Sequence, residues 1–493
     1  MNTPPAFTIR SPFAAFLFFL MVSLPSFGEV QIWNTEADFP ETCELKPGDR
    51  IIIEGGVYRN ISVKFKGGGT EDNRAYVYAE PLGSVHFIGS ANLELAGEYI
   101  TLAGLVFDGR PVDFDPTESN QVTTREKGPV QDERSLGGPL KSGGPVMFIE
   151  NSRHCRLTNT FFANFDKNYS GYEKGLNYIM LRGFENEIDH CHFEHKRSQN
   201  VVIFIKPDPK KEPGPDVKRN HKLHHNYFGE RNFVASNGWE TIRISDSSKQ
   251  EFQMACKIDS NYFFKSMVNP GSLALEKEII SNKSRKNEYT NNVFDACDGQ
   301  LTLRHGRDCL VENNWFLGKR SVGASGVRVI GTGHVVRNNL FHEVGGEGYA
   351  STLVAMLGGY GIVNNQYEGV ENIVIEGNRF INCAQPISLG YDNRRGEEYD
   401  DAPRNLTVVN NQVLSDGDEY KMFRLSSDVT TTGTWSGNTY YNSKTQDHYG
   451  DIPAKGWEKK EISFELGTPP IVREMTGPSY AGGPQDSFVV PAE

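Results

Sequence analysis

Eight short segments in the second half of the chain share one pattern. They are HNYFGE (225–230), SNYFFK (260–265), NNVFDA (291–296), NNWFLG (313–318), NNLFHE (338–343), GNRFIN (377–382), NNQVLS (410–415) and GNTYYN (437–442). Each holds an Asn, one variable residue and then an aromatic or apolar residue. The Asn of each segment lies 22 to 39 residues from the next. That distance is the size of one supersecondary unit, which cannot bury its apolar face alone, so successive units must stack.

Short β-branched runs such as HVVRNN, NIVIEGN and LTVVNNQ sit between loops, and no long segment carries a 3.6-residue apolar period. The pattern predicts an all-β chain, a parallel β-helix (solenoid) with long inserted loops. An Asn at a fixed corner can stack from coil to coil and satisfy backbone groups at the turn. It also tolerates the left-handed conformation that such corners need. The uneven spacing then measures loops inserted at other corners. A leucine-rich repeat would need an LxxLxL frame, and a propeller would need blades of one length. The chain has neither.

The segment 45–80 supplies strands and glycine turns for the first coils. Two polar insertions, 109–145 and 206–220, exceed a simple corner, and long loops in compact domains are often functional. The reading gives a β-helix domain over 29–443 and, where the repeat fades, an extension of the same domain over 444–493. Residues 1–28 read as a secretory signal peptide: Arg10, the apolar run Phe13 to Leu24, then small Ser26 and Gly28. No later stretch is apolar enough to span a bilayer. The expected location is therefore secreted or periplasmic. Seven cysteines (Cys43, Cys155, Cys191, Cys256, Cys297, Cys309, Cys383) show no CxxC spacing, and several sit in apolar strand-like runs. They read as buried free thiols.

The formal charge is −12. Removing the leader leaves 50 basic against 63 acidic residues, about −13. A uniformly acidic surface repels anionic polymers, which argues against nucleic acid as a partner. The stretch 276–337 runs the other way, with ten Lys/Arg against seven Asp/Glu, and is a local cationic patch.

That patch opens with EKEIISNKS (276–284). Glu276 and Glu278 are two apart, so in a strand they face one side, away from the parity of Ile279. Paired carboxylates suit a hard cation such as Ca²⁺. Lys283 is off-phase with them, and a bulge between Glu278 and Lys283 would correct this. Lys277 falls on the inner parity, for which the sequence offers no reason. In LTLRHG (301–306), Leu301 and Leu303 point in and Arg304 points out. NGWETIRI (237–244) adds Asn237, a carbonyl ligand, and Glu240, another acid. Oxygen ligands, a lysine and an arginine on adjacent coils suit β-elimination on a uronate polymer. The lysine takes the C5 proton, and positive charge stabilises the enolate-like intermediate.

NGWETIRI, EKEIISNKS, NNVFDACDGQLTLRHG, CLVENNWFLG and SGVRVIGTGHVVRNNLF together resemble polysaccharide lyase family 6, which holds alginate lyases and chondroitinase B. The similarity runs in order from about residue 49 to about 440. It implies a right-handed parallel β-helix and cleavage of an anionic polysaccharide, with alginate placed before dermatan sulfate. On matching positions it implies Ca²⁺ at Asn237, Glu276 and Glu278, Lys283 as base, and Arg304 as acid or charge stabiliser. It also implies substrate contacts at His305 and Arg328. Ser245 departs from the family, which often has Gly there. Arg307, Arg320 and Arg328 are the extra arginines that a sulfated substrate would favour.

Other readings stay open on the residues alone. A non-catalytic carbohydrate-binding β-helix would keep the coils without needing Lys283 and Arg304 together. A hydrolase would use paired carboxylates and no lysine. His190, His192, His195, His221, His224 and His225 lack tight sequence spacing to a carboxylate and read as corner or cleft residues. The NKS match at Asn282 to a glycosylation pattern reads as accidental, since a glycan there would crowd the base.

Overall fold

The stacked corner is the organising element of the fold. Asn226, Asn261, Asn292, Asn314, Asn339, Asn378, Asn411 and Asn438 form a buried ladder. Each side-chain amide donates to the side-chain oxygen of the next at 2.9–3.0 Å. The same oxygen accepts the preceding Asn's backbone N–H, and the amide also donates to a carbonyl one coil back, as Asn314 does to Tyr289 at 2.8 Å. The ladder thus satisfies buried backbone groups at a corner where no strand pairing can. Two residues after each of the first six Asn residues, a Phe points inward. Phe107, Phe162, Phe193, Phe228, Phe263, Phe294, Phe316, Phe341 and Phe380 stack with ring centroids 4.6–5.1 Å apart. This separation is close to the spacing of paired strands.

The computed structural model describes residues 28–109, 144–149, 151–165, 177–196, 200–207, 214–231, 238–268, 277–359, 366–392, 399–415, 423–425, 433–442, 456–485 and 487–489. The leader, most of the 109–145 loop, part of the 206–220 loop, Asn237 and Glu276 lie outside them. Among the described residues the strands form two parallel sheets, one of thirteen strands and one of twenty-six, and each strand pairs with its counterpart in the next coil. The fold is the expected all-β parallel β-helix, with one apolar core running through it. All seven cysteines are buried and free.

One detail differs from the sequence reading, which gave corner conformation and stacking to a single Asn. They fall on neighbouring residues. His225, Ser260, Asn291, Asn313, Asn338, Gly377 and Asn410 take the left-handed backbone (φ 53–62°) immediately before the ladder Asn. The Asn-Asn pairs divide the two tasks.

Past the last coils the chain returns along the solenoid. Trp457–Lys459 pairs with 438–440, Phe464 rings His342, and Arg473 lies 3.8 Å over Tyr227. Tyr480 donates to the Asn159 carbonyl at 2.9 Å. The segment therefore contacts coils from the C-terminal end back to the N-terminal third. No helix among the described residues is long and apolar enough to cross a membrane.

Candidate active site

Three adjacent strands of the thirteen-stranded sheet build the site. Ile242–Ile244, Glu278–Lys283 and Gly299–His305 pair in parallel, and Ala324–Val329 follows. The first, third and fourth each carry an apolar–polar–apolar triplet. Ile242/Ile244, Leu301/Leu303 and Val327/Val329 enter the core, so Arg243, Thr302 and Arg328 face outward. Ser281 stands between Arg243 and Thr302 in register.

The middle strand is irregular, as anticipated. Its register with 299–305 shifts between Glu278 and Ile280 and again between Asn282 and Lys283. Ile279 and Ile280 are both in the core. The first shift brings Glu278 to the same side as Ser281 and Lys283. The second aligns Lys283 with His305. Lys277 is buried, and its proton affinity falls by desolvation, with Asp298 opposing. Asn282 turns inward and is fully buried, donating to the carbonyls of Ser284 and His305. It cannot carry a glycan in this fold. Gly306 of RHG is required sterically: at φ 87° a Cβ would lie 2.2 Å from the Ser284 carbonyl oxygen. Ser245, the departure from the family's Gly, keeps the left-handed backbone at φ 66°.

Lys283, Glu278, Arg304, His305 and Arg328 come together. Glu278 is 2% exposed, and its Oε1 accepts from Arg304 Nη1 at 3.1 Å and from Arg328 Nη2. Burial pushes the Glu278 pKa up, but Arg304, Arg328 and Lys283 outweigh it, so the group stays ionised. Lys283 is 9% exposed. Desolvation lowers its pKa first, then the Arg243 charge, against Glu278 and Glu240. His305 is neutral, pulled down to about 3 by burial and by Arg304 and Lys283.

Arg304 is half-open to solvent and lies 5.9 Å from the Tyr367 ring. Arg328 is almost wholly buried, 4.5 Å under Tyr349, which the Gln300 amide holds through its carbonyl at 2.9 Å. Arg328 therefore reaches the site through Glu278. Arg307 and Arg320 pair elsewhere, with Glu251 at 2.6 Å and Glu343 at 3.0 Å.

The Arg243–Glu240 pair was missed in its role. Glu240 is buried and bonds Arg243 three times, at 2.6–3.1 Å. The Ile-Arg-Ile alternation was the available signal for it. Tyr349, in the short 3-10 turn Gly348–Ala350, and Tyr367 lie outside the strands and carried none.

Of the three calcium ligands implied by the resemblance, only Glu278 is described. Its donor chemistry fits a hard cation, because it is an ionised, buried carboxylate. Two guanidinium groups on Oε1 already offset its charge, so a cation would bind here against their repulsion. Among the described residues, one group with metal-ligating reach lies elsewhere: Glu187, Asp189 and His224, on the other sheet.

The family model for chondroitinase B matches residues 40–450. The structure resembles AlyGC, a family 6 alginate lyase, with TM-score 0.74 and 27% identity over 94% of this chain. The match spans about 60% of that protein's length. A mannuronic-acid-specific family 6 lyase from human gut microbiota matches with TM-score 0.70 and 24% identity over 88% of this chain and 92% of its own. A family 6 alginate lyase solved with a trisaccharide matches with TM-score 0.67 and 21% identity over 91% and 95%. No curated protein sequence matches the chain. With more than two thirds of its residues under the family model and the same coiled fold in these lyases, the chain belongs to the chondroitinase B family, within polysaccharide lyase family 6.

Proposed function

We propose that the protein is an exported lyase that cleaves a uronate polymer by β-elimination, with alginate as substrate. The observation that carries this is Lys283, a buried lysine with lowered proton affinity beside Arg304 and an ionised Glu278. Lowered proton affinity raises the share of neutral lysine, the form that acts as a base. Lys283 Nζ takes the C5 proton, and the electron pair left at C5 forms the C4=C5 double bond. The C4–O4 bond breaks, and O4 leaves with a proton taken from Arg304 as acid, which solvent then restores. Arg304, the most exposed cation of the group, holds the charge that develops on the substrate carboxylate and assists the leaving oxygen. Neutral His305, in register with Lys283, would contact the substrate beside the base. Arg328 holds Glu278 in place, and through it Arg304.

Glu278, with Glu276 and Asn237, would hold Ca²⁺. When bound, the ion would neutralise the substrate carboxylate.

Alginate is favoured over dermatan sulfate because Arg307, Arg320 and Arg328, the arginines available for sulfate, each have a carboxylate partner. The chondroitinase B family match keeps dermatan sulfate as the second reading. The leader-like N-terminus supports export to the periplasm or beyond. The contacts of Arg473 and Tyr480 support 444–493 as part of the same domain.

Ultraviolet absorbance of the new double bond tests this, with alginate and dermatan sulfate supplied separately, each with calcium or with a chelator. A rise on alginate is expected. A rise on dermatan sulfate alone would move the substrate, and no rise on either would remove both substrates and leave another uronate polymer or a binding role.

A further inference from the structure

The outer face of the twenty-six-stranded sheet carries a cluster that this chemistry does not use. In strand Glu187–Asp189 the core residue is Ile188, so Glu187 and Asp189 face outward together. Strand Lys222–His224 pairs with it in register, which sets His224 beside Asp189 and Lys222 beside Glu187. His224 Nε2 lies 2.7 Å from Glu187 Oε1, and one ligand atom from each of Glu187, Asp189 and His224 falls within 4.8 Å of the others. We propose that these three side chains form a binding site for a first-row divalent cation of the zinc class. One imidazole and two carboxylates is a mixed nitrogen–oxygen set that suits such ions.

The surrounding groups fit a built site. His224 Nδ1 lies 3.0 Å from His225 Nδ1. With Nε2 on a metal, His224 carries its proton on Nδ1 and donates it to His225, a partner of the kind that orients metal-bound histidines. Asp189 is fully buried. Its Oδ2 accepts from Arg156 Nη2, Thr158 Oγ1 and His190 Nδ1 at 2.6–2.9 Å, but its Oδ1 accepts only from Arg156 Nε at 2.7 Å. A carboxylate oxygen has two acceptor positions, so Oδ1 keeps one for a cation. Arg156 pairs with Asp189 and offsets one of the two carboxylate charges. Glu187 borders a groove of about 610 Å³, also lined by Lys222, that gives solvent access. An ion here would tie successive coils together on the side away from the cleft.

The test is zinc titration of the chelator-treated, untagged full chain by calorimetry. Cobalt(II) replaces zinc for a visible spectrum. The parent is expected to bind a single zinc ion and to melt higher when loaded. Glu187→Gln and His224→Ala should each lose that binding and the cobalt spectrum, while melting like the metal-free parent. His225→Ala should weaken binding about 10- to 100-fold. Zinc bound equally by parent, E187Q and H224A, or not bound by the parent, would overturn the proposal. None of these variants touches the cleft, so lyase activity is expected to be unchanged.

Discussion

The asparagine corner and the cleft face are built from the same coils and obey opposite rules. At the corner, every coil from Asn226 to Asn438 supplies the same residue and makes the same bond. On the cleft face, successive outward positions are Arg243, Ser281, Thr302 and Arg328, and no two adjacent coils agree. Uniformity at the corner satisfies buried backbone groups. Variety on the cleft face, with two register shifts in 278–283, crowds five ionisable groups into one place. In a solenoid the repeat holds the chain together, and chemistry sits where the repeat is broken.

The largest expected effect is on the irregular side. Lys283→Met should lower the rate of product formation by about 10³-fold, within the range for loss of a general base. It should not lower stability. The folded lysine binds its proton more weakly than an unfolded one. Between the lowered folded pKa and the unfolded pKa the unfolded state binds more protons, so this lysine opposes folding below that window and the penalty fades as pH rises past the unfolded pKa. K283M is thus expected to melt no lower than the parent at neutral pH, as calorimetry would show.

On the regular side, Asn314→Ala should act only through stability. It strands the Asn292 backbone N–H and the Tyr289 carbonyl, each costing about 1–3 kcal/mol. Denaturant unfolding would read the loss, with the specific activity of the folded fraction unchanged. Equal loss of activity in the folded fraction would show that the corner and the cleft are not separable.

A subtler change concerns Arg243. Its charge outweighs that of Glu240 in lowering the Lys283 pKa. Replacing both, as E240Q/R243Q, should raise that pKa and move the rising limb of the pH–rate profile to higher pH. A profile that stays in place would remove Arg243 from the tuning of the base. The smallest effect is expected at the returning tail. Arg473→Ala removes a cation over Tyr227 and should cost about 0.5–1 kcal/mol, read as a modest fall in melting temperature.

The regular side was the legible one. NYFG, NNVF and NNWF name both the ladder Asn and the stacked Phe, because the repeat exposes their roles at a fixed offset. The cleft was legible where local alternation survived, at Leu-Arg-His and Val-Arg-Val. It was less so at Glu278, where a register shift decides which way the side chain faces. The approach of His224 to Glu187 joins residues 37 apart in sequence, a proximity that only the coil stacking creates. Arg328 looked like a cleft residue, but Tyr349, from the 3-10 turn Gly348–Ala350, covers it.

The central claim is that Lys283 is the base of a uronate lyase. The most direct measurement is the rate of double-bond formation on alginate by the parent and by K283M, at matched folded concentration. The account predicts a steady absorbance rise with the parent and a rate about 10³-fold lower with K283M, at a melting temperature no lower than the parent's. A K283M rate within about tenfold of the parent would contradict it, because so small a loss falls below what removal of a general base produces.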